Sequence, residues 1–503
     1  MNKETVHSSS PIGKSKSTNY KMWMRKTFLI EKLNNKFGYS FLAILFTAIT
    51  IGIANFGLAF GIFMLIPAIA IPAVYALVVY PRIGITIFLV LAYFIMLIIR
   101  IGVNFPLGTL MDGMEALFIL SLFIQQKQKK DWSMLKGPIT TWILIWMIFN
   151  FLEVANPTTE ARGAWVYTVR SIAVVMVTYF IFLYNIRTIQ FVRFIIKLWL
   201  VLSFIGAAYA FKQEHFGFFP FEEAYLHSDP GIALLLFIGG TWRKFSIFND
   251  PVVFAYNMAV STLLCVGLLT GPFEKWKKAV LWFLIFSFML NMLYSGTRGA
   301  FVLVPAGMIL YAILKYNRNI LIIAIVGAIS FVGIINMPTS NQTLYRFQTA
   351  FKPNDDASYK VRKINQKRIQ PFILSHPMGG GLGSTGEWGK RFAPGSFLSS
   401  FPPDSGYVRV AVECGWLGLL ILCIFMFTVL KTGINTYYKI RDPELKSYCL
   451  AMVLVIFAFH IGNFPQEALV QFPSNVYFYL VIALIGVTSR LDNEQNKIKD
   501  ATK

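Results

Sequence analysis

Apolar residues run in blocks of roughly twenty along most of this chain, a length that crosses the hydrocarbon core of a bilayer when coiled into a helix. Fourteen such blocks can be placed, centred near Thr47, Ala68, Val90, Leu117, Trp146, Val174, Ser203, Ala259, Phe286, Met308, Ile329, Leu420, Phe457 and Ile482. The first four are crowded. The pattern predicts an all-α polytopic membrane protein with about 12–14 transmembrane helices and one large extracytoplasmic loop.

The polar breaks between the blocks orient them. Basic residues concentrate in every second break: PR at 81–82, QQKQKKDWSMLK, NIRTIQFVR, EKWKK, KYNRN and KTGINTYYKIRDPELK, together with both ends of the chain. The short alternate segments VNFPLG, NPTTEARG, SGTRG and NFPQEALVQFPS carry only Arg162 and Arg298. By the positive-inside rule both termini face the cytoplasm. Two outside segments are longer, from about Lys212 to Asn249 and from Pro338 to Ser405. Long loops escape the charge rule, and loops of that length in a compact protein usually serve a function.

Composition agrees with this picture. Of 503 residues, 56% are hydrophobic and only 14% charged, too few charges for the surface of a soluble protein of this size. The net charge of +22 lies mostly between apolar blocks, so it is topological and not a nucleic-acid footprint. Cys265, Cys414, Cys423 and Cys449 all fall in apolar runs, with no metal-ligand spacing and no disulfide framework. The first forty residues lack the apolar core and small-residue site of a cleavable signal and read as a disordered basic tail.

Against this background a few charges need a reason. In LNMLYSGTRGAFVLVPAG the permanent cation Arg298 occupies a break of only a few residues, among Ser295, Gly296, Gly299 and Ala300. An interfacial anchor is one explanation. The small neighbours also permit close approach by a ligand or another helix. Arg243, with Lys244, opens the preceding span in TWRKFSIFNDPVVFA, so two guanidiniums lie at neighbouring outer mouths. Paired guanidiniums suit phosphate or pyrophosphate.

The long outside loop adds further elements. DASYKVRKINQKRIQPFILSHP, residues 356–377, reads as a helix with Lys360, Lys363 and Lys367 on one face and Val361, Ile364, Ile369 and Phe372 on the other. Such a segment suits a membrane surface. Arg362 and Arg368 fall toward the apolar side, where they either snorkel or point inward. HPMGGGLGSTG lacks the Lys-Ser/Thr of a phosphate-binding loop and reads as a tight turn over a polar headgroup or as a linker. In FPPDSGYVRVAVECGWLGLLI, Asp404 is either a helix N-cap or a carboxylate that takes a proton from a sugar hydroxyl. His376 is the other candidate base. Glu413 pairs most simply with Arg409 one turn back, and Arg170, Asp112 and Glu115 read as interhelical pairs. His215 and His227 have no metal spacing.

Taken in order, RKFSIFNDP, then S-x-x-R-G-A, then D-x-S-x-x-x-R and H-P-x-x-G-x-G in a large outside loop, then E-x-G-x-x-G at the next span, the region 240–425 resembles the bacterial O-antigen ligase/polymerase superfamily. The resemblance implies a bacterial plasma (inner) membrane enzyme. It would transfer glycan from undecaprenyl pyrophosphate to an acceptor glycan or lipid on the outer face, without metal or nucleotide cofactor. It implies that Arg243, Arg298 and Arg362 hold the pyrophosphate. Ligases of the superfamily carry a histidine just before the E-x-G-x-x-G span. Here that segment reads P-P-D-S-G-Y, with Asp404, which favours a polymerase over a ligase to lipid A-core or protein. The chain then divides into a basic tail (1–38), N-terminal transmembrane helices (39–240), a ligase/polymerase-like region (241–430, with the loop 338–405) and C-terminal transmembrane helices with a cytoplasmic tail (431–503). A flippase for the same lipid-linked glycans is the rival from another class. Against it, transporters usually show repeated halves and midplane sites, and no internal repeat is visible here.

Overall fold

A computed structural model describes residues 34–56, 74–102, 107–130, 132, 135–238, 240–340, 342–352 and 357–501. Among them the regular structure is helical apart from one two-stranded hairpin, Phe237–Ile238 with Thr241–Trp242. Among the described residues eleven helices are long and apolar enough to cross a membrane, and two shorter apolar helices, Arg298–Leu314 and Ile325–Asn336, follow the same pattern. These thirteen coincide with thirteen of the fourteen predicted blocks. The block centred on Ala68 lies outside the described residues. The protein is an all-α polytopic membrane protein.

The helices fall into two compact units. The smaller comprises residues 1–85 and 116–133. Within it the Ser121 hydroxyl donates to the Val78 carbonyl (2.7 Å), satisfying a polar group that lipid cannot.

The larger unit, residues 86–115 and 134–503, is built around three helices: Pro251–Leu268, Pro443–Gly462 and Ser474–Ala501. Their apolar residues lie on every face, and such helices are stable only when surrounded. Within their most apolar stretches 89%, 78% and 83% of residues are buried. Gly267 packs directly on the backbone of Ala451, the small-on-small contact that lets membrane helices approach closely. A polar cluster crosses the bundle: Tyr93 hydroxyl to Ser203 Oγ (2.8 Å), Ser203 Oγ to Ser261 Oγ (2.8 Å), and Asn257 Nδ2 donating to Tyr93 (3.0 Å). Arg170 pairs with Asp112 at 3.1 Å, as expected for an interhelical ion pair.

The Asp-Pro dipeptide at 250–251 starts the central helix. Asp250 Oδ1 accepts from Val252 N (2.7 Å) and Val253 N (2.9 Å), with Pro251 in the first turn where no donor is lost. The long loop 338–405 contains the helices Gln342–Thr349, Ala357–Ser375 and Gly386–Phe392. The second is the helix read from the sequence. Lys360, Lys363 and Lys367 are exposed, and Ile369 packs with Leu398, Phe401 and Val412. Val361 and Ile364 remain exposed, so only the C-terminal half of the apolar face is covered by protein.

Candidate active site

The segment before the central helix is held from below. Arg100, at the end of the Pro81–Arg100 span, donates to the carbonyls of Ser246 (3.2 Å), Phe248 (2.6 Å) and Asn249 (3.2 Å), and its guanidinium lies over the Phe245 ring. Gln213 Oε1 accepts from Ser246 N (2.8 Å). With the backbone fixed, the two cations of TWRK part company. Lys244 turns to Glu214 (3.0 Å) and is neutralised there. Among the described residues Arg243 hydrogen-bonds to neutral groups, Ser295 O (2.8 Å), Thr297 Oγ1 (2.9 Å) and Leu235 O (3.3 Å).

Arg243 thus reaches across to the turn that presents Arg298. A third guanidinium, Arg346 of the Gln342–Thr349 helix, joins them. Burial brings the Arg243 guanidinium down to about 10; Asp250 opposes the fall, and the positive fields of Arg346 and Arg298 add to it. At neutral pH the group stays charged. Burial and Arg298 likewise lower Arg346. Gly296 makes this gathering possible. Its φ is +60°, which favours glycine, and a Cβ there would stand 2.8 Å from Arg346 Nη1. The small residues of SGTRGA therefore do allow close approach, and the group that approaches is another arginine.

Beside the cations lies a cavity of ≈240 Å³, lined by Asp250, Tyr256, Asp404, Gln466, Glu467 and Gln471, among others. Thr297 Oγ1 donates to Pro251 O (3.0 Å) while accepting from Arg243, so the rim and the cavity share one turn, Asp250–Pro251. Asp404 does not cap the helix that follows it. Ser405 does, its hydroxyl accepting from Val408 N (3.5 Å). Released from that duty, the Asp404 carboxylate lines the cavity. Glu467 stands nearby; burial raises its pKa, Arg409 opposes the rise, and Glu413 and Asp404 add to it.

Behind the cavity the glycine-rich turn closes on the protein itself. Gly383 N donates to Glu413 Oε2 (3.0 Å), Thr385 N and its hydroxyl both donate to Oε1, and Arg409 Nε donates to Oε1 (3.2 Å). Arg409 Nη1 also reaches Glu467 (2.6 Å). The anion in this turn is therefore an internal carboxylate, and the Arg409–Glu413 pair expected from the sequence is present. Because the pair is buried and multiply bonded, Glu413→Ala should destabilise the fold by about 3–5 kcal/mol. Thermal unfolding in detergent and hydrogen exchange across 379–385 would check it.

Arg362 acts electrostatically on Tyr256, which lines the cavity and whose hydroxyl would stand 3.2 Å from a Cβ at Gly299, next to Arg298. His376 ends its own helix, with Nδ1 facing Phe372 O (3.0 Å) and Ser375 Oγ (2.9 Å) and its ring stacked on Phe372; it does not line the cavity. Sequence reasoning missed Arg346, Glu467 and Arg100. Arg100, a cation at the end of an apolar run, carried a signal; the other two carried none. Among the described residues no group of three or more His, Cys, Asp or Glu is placed to hold a metal ion.

The O-antigen ligase family model matches residues 279–423. That match covers less than a third of the chain and supports, for this region, the O-antigen ligase/polymerase superfamily. No curated protein matches it. The superfamily match supports glycan transfer of the ligase/polymerase type at family level, in a multi-pass membrane protein. It spans Arg298, Arg346, Arg362, His376, Asp404 and Glu413, while Arg243 and Glu467 lie outside it.

Proposed function

We propose that the protein is a polysaccharide polymerase of the bacterial plasma membrane. In this reading both termini are cytoplasmic, and the rim and cavity open to the outer face. The donor is a glycan on undecaprenyl pyrophosphate and the acceptor is a hydroxyl of a second lipid-linked glycan. The observation that carries this reading is the juxtaposition of Arg243, Arg298 and Arg346 with a carboxylate-lined cavity through the single turn Asp250–Pro251.

The chemistry follows from that arrangement. The acceptor hydroxyl oxygen attacks the donor's anomeric carbon. The bond from that carbon to the phosphate oxygen breaks, and the pyrophosphate leaves with the electron pair. Guanidiniums fixed before reaction stabilise the charge that develops on it, and fixed donors cost no reorganisation in the transition state. Asp404 takes the hydroxyl proton. The cavity, at ≈240 Å³, has room for a ring of hexose size. Asp404 in place of the ligases' histidine favours the polymerase over the ligase. The site needs no metal or nucleotide in this reading.

Reconstitution with purified undecaprenyl-pyrophosphate oligosaccharide tests it. Longer lipid-linked chains are the expected product. Transfer to lipid A-core or protein would make it a ligase. Unmodified glycan appearing in the opposite leaflet would make it a flippase and end the enzymatic reading.

A further inference from the structure

We propose that Arg346 supplies the third guanidinium of the diphosphate site. The inference rests on the glycan-transfer reading and deepens it by naming who holds the leaving group.

Three separate stretches of chain build the cluster: the strand end at Arg243, the turn at Arg298 and the Gln342–Thr349 helix at Arg346. The last is fixed, not draped. Gln348 Nε2 donates to Ile334 O (2.8 Å) and Met337 O (2.7 Å), ending the preceding span and starting the next helix as one unit. Phe347 packs on Phe301 (centroids 5.4 Å apart), one turn along from Arg298, so the helix carrying Arg346 is seated on the helix carrying Arg298. Arg346 then donates to Ile238 O of the hairpin that leads to Arg243.

Neither Arg243 nor Arg346 has a carboxylate partner among the described residues; each is bonded to neutral oxygens. Like charges held together in a partly buried place raise each other's free energy. An anion with several acceptor oxygens reverses that. A diphosphate diester, with two negative charges and oxygens spread over two phosphorus centres, suits several forked donors better than one.

The test uses the full-length protein in nanodiscs, with inorganic pyrophosphate as probe and a transfer assay on the same preparations. Arg346→Ala and Arg346→Gln should each weaken pyrophosphate binding about tenfold, the scale of one charge-assisted bond. Arg346→Lys should restore part of it. A structural role alone predicts the opposite order, because glutamine keeps a donor for Ile238 O without the charge. Wild-type-like binding by Arg346→Gln, glutamine rescuing better than lysine, or no pyrophosphate binding by the wild type would each overturn the proposal. The two readings separate cleanly. Binding lost in Arg346→Gln, with no glycan product from the wild type, keeps the site and rejects the transferase. Transfer with an unchanged donor KM in Arg346→Gln keeps the transferase and rejects the site.

Discussion

Arg298→Ala should cut glycan transfer by about 10²–10³-fold while leaving the protein folded in the membrane, the loss typical of removing one fixed charge stabiliser from a transition state. The side chain sits on the first turn of its helix, half-buried, and the residues that carry the local packing are its neighbours Ala300 and Phe301, both fully buried. Truncation therefore removes charge more than packing. The loss should appear in kcat as well as in donor KM, because charge on the leaving oxygen grows toward the transition state. Polymer length and rate, measured at matched membrane levels, check it. Normal polymer from Arg298→Ala would mean that the arginine is an interfacial anchor.

Asp404→Asn has the second-largest expected effect, about 10²–10⁴-fold in kcat, the range of general-base catalysis. The structure removes the competing explanation. Ser405 performs the capping that Asp404 would otherwise be credited with, so the asparagine variant should keep the stability of the wild type. Asparagine keeps the size and one acceptor oxygen and loses the negative charge, and with it the ability to take the proton. Glu467 sharpens the contrast. Its carboxylate is bound to Arg409, which also holds Glu413, so replacing it should disturb stability as well as rate. A variant of Asp404 with full activity would assign the proton to another group.

What the sequence could reveal divides along physical lines. Spans were legible because bilayer thickness fixes their length, and thirteen of the fourteen predicted blocks coincide with apolar helices. Arg243 and Arg298 were legible because a cation in a short apolar break has few reasons to be there. The Arg409–Glu413 pair was legible because one helical turn separates the two residues. Arg346 was not. It lies in LYRFQT, an unremarked stretch of a long loop, and becomes meaningful only when that helix folds back onto the turn at Gly296. Glu467 was hidden the same way, in the short segment between two spans, and reaches the cavity through tertiary packing.

Two readings shifted for reasons of local chemistry. The glycine-rich turn was open to an external headgroup, but its donors are taken by Glu413. Lys244 was grouped with Arg243 by adjacency, and Glu214 separates them, since successive residues of an extended segment point to opposite sides.

The most direct measurement is an electron cryomicroscopy structure of the protein in nanodiscs with undecaprenyl pyrophosphate bound. Diphosphate density should be enclosed by Arg243, Arg298 and Arg346, with the glycan-bearing end turned toward Asp404. Diphosphate bound elsewhere, with those three side chains turned to lipid or solvent, would contradict it.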